Sequence, residues 1–234
     1  MKILALDTAT EVCSVALLLQ EPGAAPTLRV RELPAGPGHS AHILSLVQAV
    51  LAEGSVSLNE LDCVAFGRGP GGFTGVRLAA SVTQGLAYGA GLAVIPVSDL
   101  LAVAQQALDL TPAAAGVLVC NDARMQEVYW TCAVRGPDGL AVAAAAEQVG
   151  GADSVQLPPG LPGPLLGAGR GFAVWPSLQQ RLGGRLLEVQ ADLLPRAREI
   201  ARLAAPHWLA GQGVAPEQAQ PVYLRNDVAR PARK

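Results

Sequence analysis

Charged and aromatic side chains are both scarce in this 234-residue chain: Asp, Glu, Lys and Arg make up 15% of it and Phe, Trp and Tyr 4%. The formal net charge is −2 and the basic residues are scattered. The electrostatic footprint of a protein that grips nucleic acid by itself is therefore missing, and any RNA connection is expected to run through a partner. The opening MKILALD carries one lysine and a short apolar run before Asp7, too little for a signal peptide or a membrane span. A cytoplasmic protein with no membrane contact is the expectation. Cys13, Cys63, Cys120 and Cys132 each fall in an apolar stretch, and none belongs to a C-x-x-C pair. That pattern speaks against metal or redox chemistry and for small core residues in a reducing compartment.

Histidine is scarce as well: His39, His42 and His207. His39 and His42 are three apart at a helix start, so one face presents both, but two imidazoles do not make a metal site. Serine-nucleophile chemistry lacks its G-x-S-x-G motif, and Ser40 cannot share a helix face with the adjacent His39. No spacing of carboxylates points to a paired acid–base site.

What the chain does have is apolar residues, half of the total, enough to bury a core in one large domain or two small lobes. KILALDT (2–8) and VCSVALLL (12–19) read as an antiparallel hairpin, followed by a strand near 28–33. A helix over 39–54, a strand at 63–67, a helix over 74–90 with Thr74 as N-cap, and the strand LAVIPV come next. After a helix near 98–108 the pattern restarts: GVLVCNDARMQEVYWTCAV is again strand, turn and strand. Asp122 falls opposite Asp7, Glu127 opposite Glu11, and Val128 opposite Val12. This weak internal duplication predicts two lobes, 1–108 and 109–234, in an actin-like α/β arrangement in which phosphates sit between paired hairpins. A loop at 158–164, another strand-to-glycine turn at LLGAGRG and a long helix near 192–211 complete the second lobe. The tail, with Arg225, Arg230, Arg233 and Lys234, reads as a solvated, fraying end.

FGRGPGGFTGVR (66–77) resembles a phosphate cradle but fails as one. Phe73 stands where a P-loop needs lysine, and Pro70 removes an amide donor inside the G-x-G-x-x-G of a dinucleotide site. A tight strand-to-helix corner is the better reading. Of the two hairpin turns, DTAT suits a phosphate, with Thr8 and Thr10 as donors and Asp7 as a ligand to metal-bound water. DARMQ does not, because Arg124, Met125 and Gln126 crowd it. Half a nucleotide site is visible.

The helix over 39–54 carries Ile43, Leu46, Val47 and Val50 on one stripe, with Leu44 and Leu51 adjoining. In the helix over 74–90, Ser81, Gly85 and Gly89 recur every four residues and leave a groove for another backbone. Both helices are thus either sandwiched within the monomer or marks of a protein interface.

Taken together and in order, ILALDTATEVCSVAL, GRGPGGFTGVR, DARMQEVYW, LLGAGRGFAVWP and PVYLRND resemble the TsaB (YeaZ-type) family across most of the chain. The resemblance implies an actin-like (ASKHA) fold of the Hsp70 and sugar-kinase type. It also implies a part in making N6-threonylcarbamoyladenosine at position 37 of tRNAs that read ANN codons. The paralogue TsaD would transfer the threonylcarbamoyl group, TsaE would be the third member, and this chain would be the non-catalytic dimerisation subunit, pairing with itself when alone. The contact surface would lie on the first two helices, carried here by His39, His42, Ile43, Leu46, Val47 and Val50 and by Arg77, Ser81, Gly85 and Gly89. TsaD holds its metal with H-x-x-x-H, whereas His39-Ser-Ala-His42 is one residue short, so no metal and no catalytic residue is expected. The family's occasional description as a protease finds no support in these residues. No cofactor is expected to be held firmly by this chain alone. A nucleotide at the heterodimer interface, touched by Asp7, Thr8 and Thr10, stays open, and so does the rival reading of a magnesium- and ATP-dependent phosphotransferase using Asp7 and Asp122.

Overall fold

The computed structural model describes residues 1–34, 38–161 and 163–225; the tail from 226 onward, including Arg230, Arg233 and Lys234, lies outside them. The chain begins with the antiparallel strands β1 (Lys2–Asp7), β2 (Val12–Leu19) and β3 (Thr27–Pro34). Then follow α1 (His39–Gly54), β4 (Cys63–Gly67), α2 (Phe73–Ala90) and β5 (Ala93–Val97), with β4 and β5 added parallel to β1. The first sheet runs β3-β2-β1-β4-β5.

After α3 (Asp99–Leu110), the strands β6 (Gly116–Arg124) and β7 (Glu127–Arg135) repeat the hairpin. β8 (Ala141–Ala143) and β9 (Gln148–Gly151) pair with β7, while β10 (Leu165–Ala168) pairs parallel with β6. Two short helices, α4 (Gly171–Val174) and α5 (Pro176–Leu182), precede β11 (Leu186–Gln190) and α6 (Ala197–Leu209). The second sheet runs β11-β10-β6-β7-β8. Its hairpin and parallel strands occupy the places their counterparts hold in the first sheet. The duplication read from the two Asp-turn hairpins is therefore structural, and the fold is the actin-like one.

Strict alternation sorts the first sheet's side chains to two faces. Leu4, Leu6, Val15, Leu17, Val64 and Phe66 meet α1 and α2, while Ile3, Ala5, Ala16, Leu18, Cys63 and Ala65 meet α3 and α6. The latter core continues without a break into Val117, Val119, Leu166 and Ala168 of the second sheet. Helices α3 and α6 thus form a shared middle layer: α3 packs on the second sheet, and α6, from the end of the chain, packs on the first. This core runs on across residue 108, where the sequence suggested a boundary between lobes. The outer face of the second sheet, with Leu118, Cys120, Trp130 and Cys132, is covered by Phe172 and Leu178.

All four cysteines are free and buried. Burial pushes the thiols of Cys13 and Cys132 up to about 11 and that of Cys63 up to about 12, which makes them inert core residues.

Two helix starts differ from the sequence reading. Helix α2 begins at Phe73 behind Gly72, with no side-chain cap, so Thr74 lies inside the first turn. Helix α6 begins at Ala197 rather than near 192, because the residue before Pro195 is driven out of the helical region. Its first amide is instead bonded by Ser14 Oγ of β2, 2.8 Å away.

Candidate functional site

The end of β1 and the loop after β4 are built against each other. Asp7 is fully buried, and its Oδ1 accepts the Ala9 amide at 3.0 Å. The Thr8 hydroxyl donates to the Gly75 carbonyl at 2.7 Å, and the Gly72 amide donates to the Ala9 carbonyl at 2.7 Å. The glycines are there for closeness: a Cβ on Gly75 would stand 1.9 Å from the Thr8 carbonyl oxygen, and one on Gly71 would stand 2.7 Å from the Ala9 Cβ. The stretch 66–77 is a corner that seals the hairpin turn.

Behind this corner lies a residue the sequence reading missed. Asp99, at the first position of α3, is fully buried, and its Oδ2 accepts the Gly69 amide at 2.6 Å. A Cβ on Gly67 would lie 2.2 Å from Asp99 Oδ1 and 2.7 Å from Asp7 Oδ1, so the two carboxyl groups meet over that glycine. Burial, eased by the amide of Ala9, pushes Asp7 up to about 7. Burial and the neighbouring Asp7 charge hold Asp99 well above the usual carboxylate range. Two carboxyls at this separation share a proton instead of both ionising. The available signal was an acid directly after the helix-capping Ser98 in an otherwise apolar stretch. Ser98 accepts the Leu101 amide at 3.1 Å and donates to Glu147, which also takes both terminal nitrogens of Arg68 at 3.1 Å. The loop is thereby tied to the second lobe.

The second hairpin turn is closed by its own side chains. Arg124, Met125 and Gln126 take φ values of 60°, 53° and 65°, a left-handed run that swings three large residues around the corner. Asp122 Oδ1 accepts the Arg124 amide at 2.9 Å, and its Oδ2 pairs with the Arg124 guanidinium at 3.1 Å. Arg225 binds Glu127 and donates to the Ala123 carbonyl at 3.1 Å.

Between the two turns lies a cleft of about 910 Å³, lined by Thr8–Glu11, His39, Pro70–Leu78, Asn121–Arg124, Arg170 and the strap Val222–Arg225. Arg170 crosses it to Glu11 at 2.9 Å. A magnesium–nucleotide site does not fit these residues. Asp7 is enclosed with Asp99, Thr8 spends its hydroxyl on Gly75, and Asp122 is held by Arg124. Of the three groups assigned to a phosphate in the first turn, Thr10 Oγ1 and Asp7 Oδ2 are buried without a hydrogen-bond partner. Among the described residues, no group of three His, Cys, Asp or Glu side chains could hold a metal ion.

The residues expected at a partner surface separate into two sets. Ile43, Val47 and Val50 are 1%, 3% and 0% exposed and belong to the core under the first sheet. That part of the expectation is corrected, because the stripe facing inward is the one the monomer needs. Leu46 is half-buried against the same core, and His39 is buried in the cleft wall, whereas His42 is exposed. Arg77, Ser81, Gly85 and Gly89 are all exposed, with nothing within 4 Å of a Cβ on Gly85 or Gly89. Leu44 at 53% and Tyr88 at 72% exposure extend this outward face. Among the described residues, no helix is long and apolar enough to cross a membrane.

The family described as TsaD, tRNA N6-adenosine threonylcarbamoyltransferase, matches residues 33–229. An Escherichia coli (strain K12) protein named tRNA threonylcarbamoyladenosine biosynthesis protein TsaB is 41% identical over 230 residues, 98% of this chain and 96% of that protein. The protein of the same name from Haemophilus influenzae is 49% identical over 133 residues, 57% of this chain and 54% of that protein. Among solved structures, YeaZ from Pseudomonas aeruginosa superposes with a TM-score of 0.84 at 39% identity, covering 95% of this chain and 99% of its own. A second Pseudomonas aeruginosa structure, described as an uncharacterized protein with similarity to peptidase YEAZ, gives a TM-score of 0.85 at 40% identity, covering 96% and 99%.

Proposed function

Since the chain belongs to the TsaB (YeaZ-type) family, we propose that it serves tRNA threonylcarbamoyladenosine biosynthesis as a pairing subunit, offering the outer faces of α1 and α2 to a TsaD-type paralogue and to a second copy of itself when alone. The observation that carries this reading is the stripe Ser81, Gly85 and Gly89. Helix α2 buries Val76, Ala79, Ala80, Thr83 and Ala87 against its own sheet, yet its opposite face is small, open and flanked by Tyr88. A face without side chains lets another helix backbone approach closely. The neighbouring α1 adds Leu44 as an apolar contact of the kind found at interface centres.

The chemistry is left to the partner. Both hairpin carboxylates, the groups an actin-like phosphotransferase would use, are engaged within this chain, and that weighs against the ATP-dependent reading. TsaE as a third member and tRNA contact only through the assembly belong to the same proposal. Mixing the purified chain with its TsaD-type paralogue and measuring mass by light scattering tests the pairing. The expected result is a heterodimer for the native chain and two separate species for Gly85→Leu. A complex that survives Gly85→Leu unchanged removes this face from the interface.

A further inference from the structure

The stretch that ends at Arg225, read from the sequence as part of a fraying end, is built into both lobes. Beyond α6 the chain pairs Val214 with Val94 at the outer edge of β5. Ala219 is then fully buried in the core beside α2, and Gln84 of that helix donates to its carbonyl at 3.0 Å. The Val222 amide donates to the Arg68 carbonyl at 2.7 Å. A Cβ on Gly69, whose φ is 97°, would stand 3.2 Å from the Val222 carbonyl oxygen. These anchors all belong to the first lobe. Arg225, at the end of the same stretch, reaches the second.

Arg225 meets the second hairpin on alternate residues around its turn. Nε donates to Glu127 at 2.9 Å, one terminal nitrogen donates to the Ala123 carbonyl at 3.1 Å, and the other lies 3.4 Å from the Met125 sulfur. The turn needs such holding. Among the described residues, four that are not glycine have a positive φ, and Arg124, Met125 and Gln126 are three of them. A residue with a Cβ resists this conformation and keeps it only where its surroundings impose it. All three side chains are exposed, so core packing does not impose it. Beyond the strand ladder, the path is fixed by Asp122 from inside the hairpin, whose Oδ1 accepts the Arg124 amide at 2.9 Å, and by Arg225 from outside.

We propose that Ala219–Arg225 is a latch. Docked, it holds the second turn in its left-handed path and fastens that turn to the first lobe across the mouth of the cleft, which Val222 and Arg225 both line. Released at Arg225, it frees the turn and the strap together. The coupling follows from the short tether between Val222 and Arg225, since letting go of Glu127 removes the constraint that keeps Val222 against Arg68. The release point is the Arg225–Glu127 ion pair, because the Glu127 side chain is 35% exposed and the pair is open to water. The latch involves no ligand and no bond-breaking step, and it does not depend on the pairing reading.

Amide exchange of the ¹⁵N-labelled full chain, followed residue by residue in deuterated buffer, tests it in Arg225→Gln and, separately, in Glu127→Gln. The informative amides are Arg124 and Val222, with Ala9 and Gly72 of the first hairpin and its corner as references. Each variant is expected to exchange about tenfold faster at both Arg124 and Val222, with the references unchanged. The double variant should exchange no faster than either single one, because both remove the same contact. Val222 carries the test, since it bonds to Arg68 and not to the turn. An unchanged Val222 amide in both variants would make Arg225 a local ion pair and overturn the latch, as would equal acceleration at all four amides, which reports general loosening.

Discussion

Asp7 and Asp99 meet over Gly67, where a Cβ would lie 2.7 Å from one carboxyl oxygen and 2.2 Å from the other. This buried acid pair joins the first hairpin turn, the corner before α2 and the start of α3. It gives the protein a stability that depends on pH in a definite sense. Asp7 rises from 3.8 to about 7 on folding, so the native state holds a proton that the unfolded chain releases. A carboxyl raised in this way contributes its stability in full below about pH 4 and loses it as pH climbs through 7. Asp99→Asn keeps an oxygen for the Gly69 amide and supplies an N–H to Asp7 in place of the shared proton. The melting temperature of Asp99→Asn minus that of the native chain is expected to be near zero at pH 4 and to grow to several degrees by pH 8. A difference that stays flat across this range would show that the pair does not titrate as described.

The glycines of α2 and its corner should divide sharply under the same substitution. Gly75→Ala drives a Cβ to 1.9 Å from a backbone carbonyl oxygen, and separating the corner from the hairpin turn should cost about 2 kcal/mol or more. Gly85→Ala meets nothing within 4 Å and replaces the helix-weakening glycine, a gain of about 0.5–1 kcal/mol. Denaturant melts of the two variants check this. Equal effects would contradict the packing of the corner against Thr8.

The inner and outer faces of the proposed pairing helices can be told apart by what fails first. Val50→Arg places a charge in the core under the first sheet, where Val50 has no exposed surface, and should unfold the chain or lower its melting temperature by 10 °C or more, on the order of 3 kcal/mol. Leu44→Arg changes a residue that is 53% exposed. It should leave the melt within about 2 °C while weakening association. Circular dichroism melts beside sedimentation of the same samples separate the two outcomes.

The glycine corner, both hairpins and the duplication were legible in the sequence because each is a local pattern: alternation, an acid at a strand end, glycines between strand and helix. The unsuitability of the second turn for a phosphate was also visible, in the bulk of Arg124, Met125 and Gln126. Contacts between distant segments were not legible. Nothing local brings Asp99 to Asp7, and the cap of α6 comes from Ser14, at the other end of the chain. The inward stripe of α1 escaped for a different reason. Apolar residues cover more than one face of that helix, so periodicity alone does not say that Val50 serves the core while Leu44 faces out. The exchange of α3 and α6 between sheets is equally a property of the whole fold, since both helices read as ordinary local elements.

Reconstituted tRNA threonylcarbamoylation, run with the TsaD-type paralogue and the other pathway proteins, tests most directly whether this chain contributes a surface or a catalyst. A surface role predicts that Asp122→Asn supports modification at the native rate and that Gly85→Leu abolishes it while remaining folded. Loss of modification in Asp122→Asn together with full activity in Gly85→Leu would contradict it.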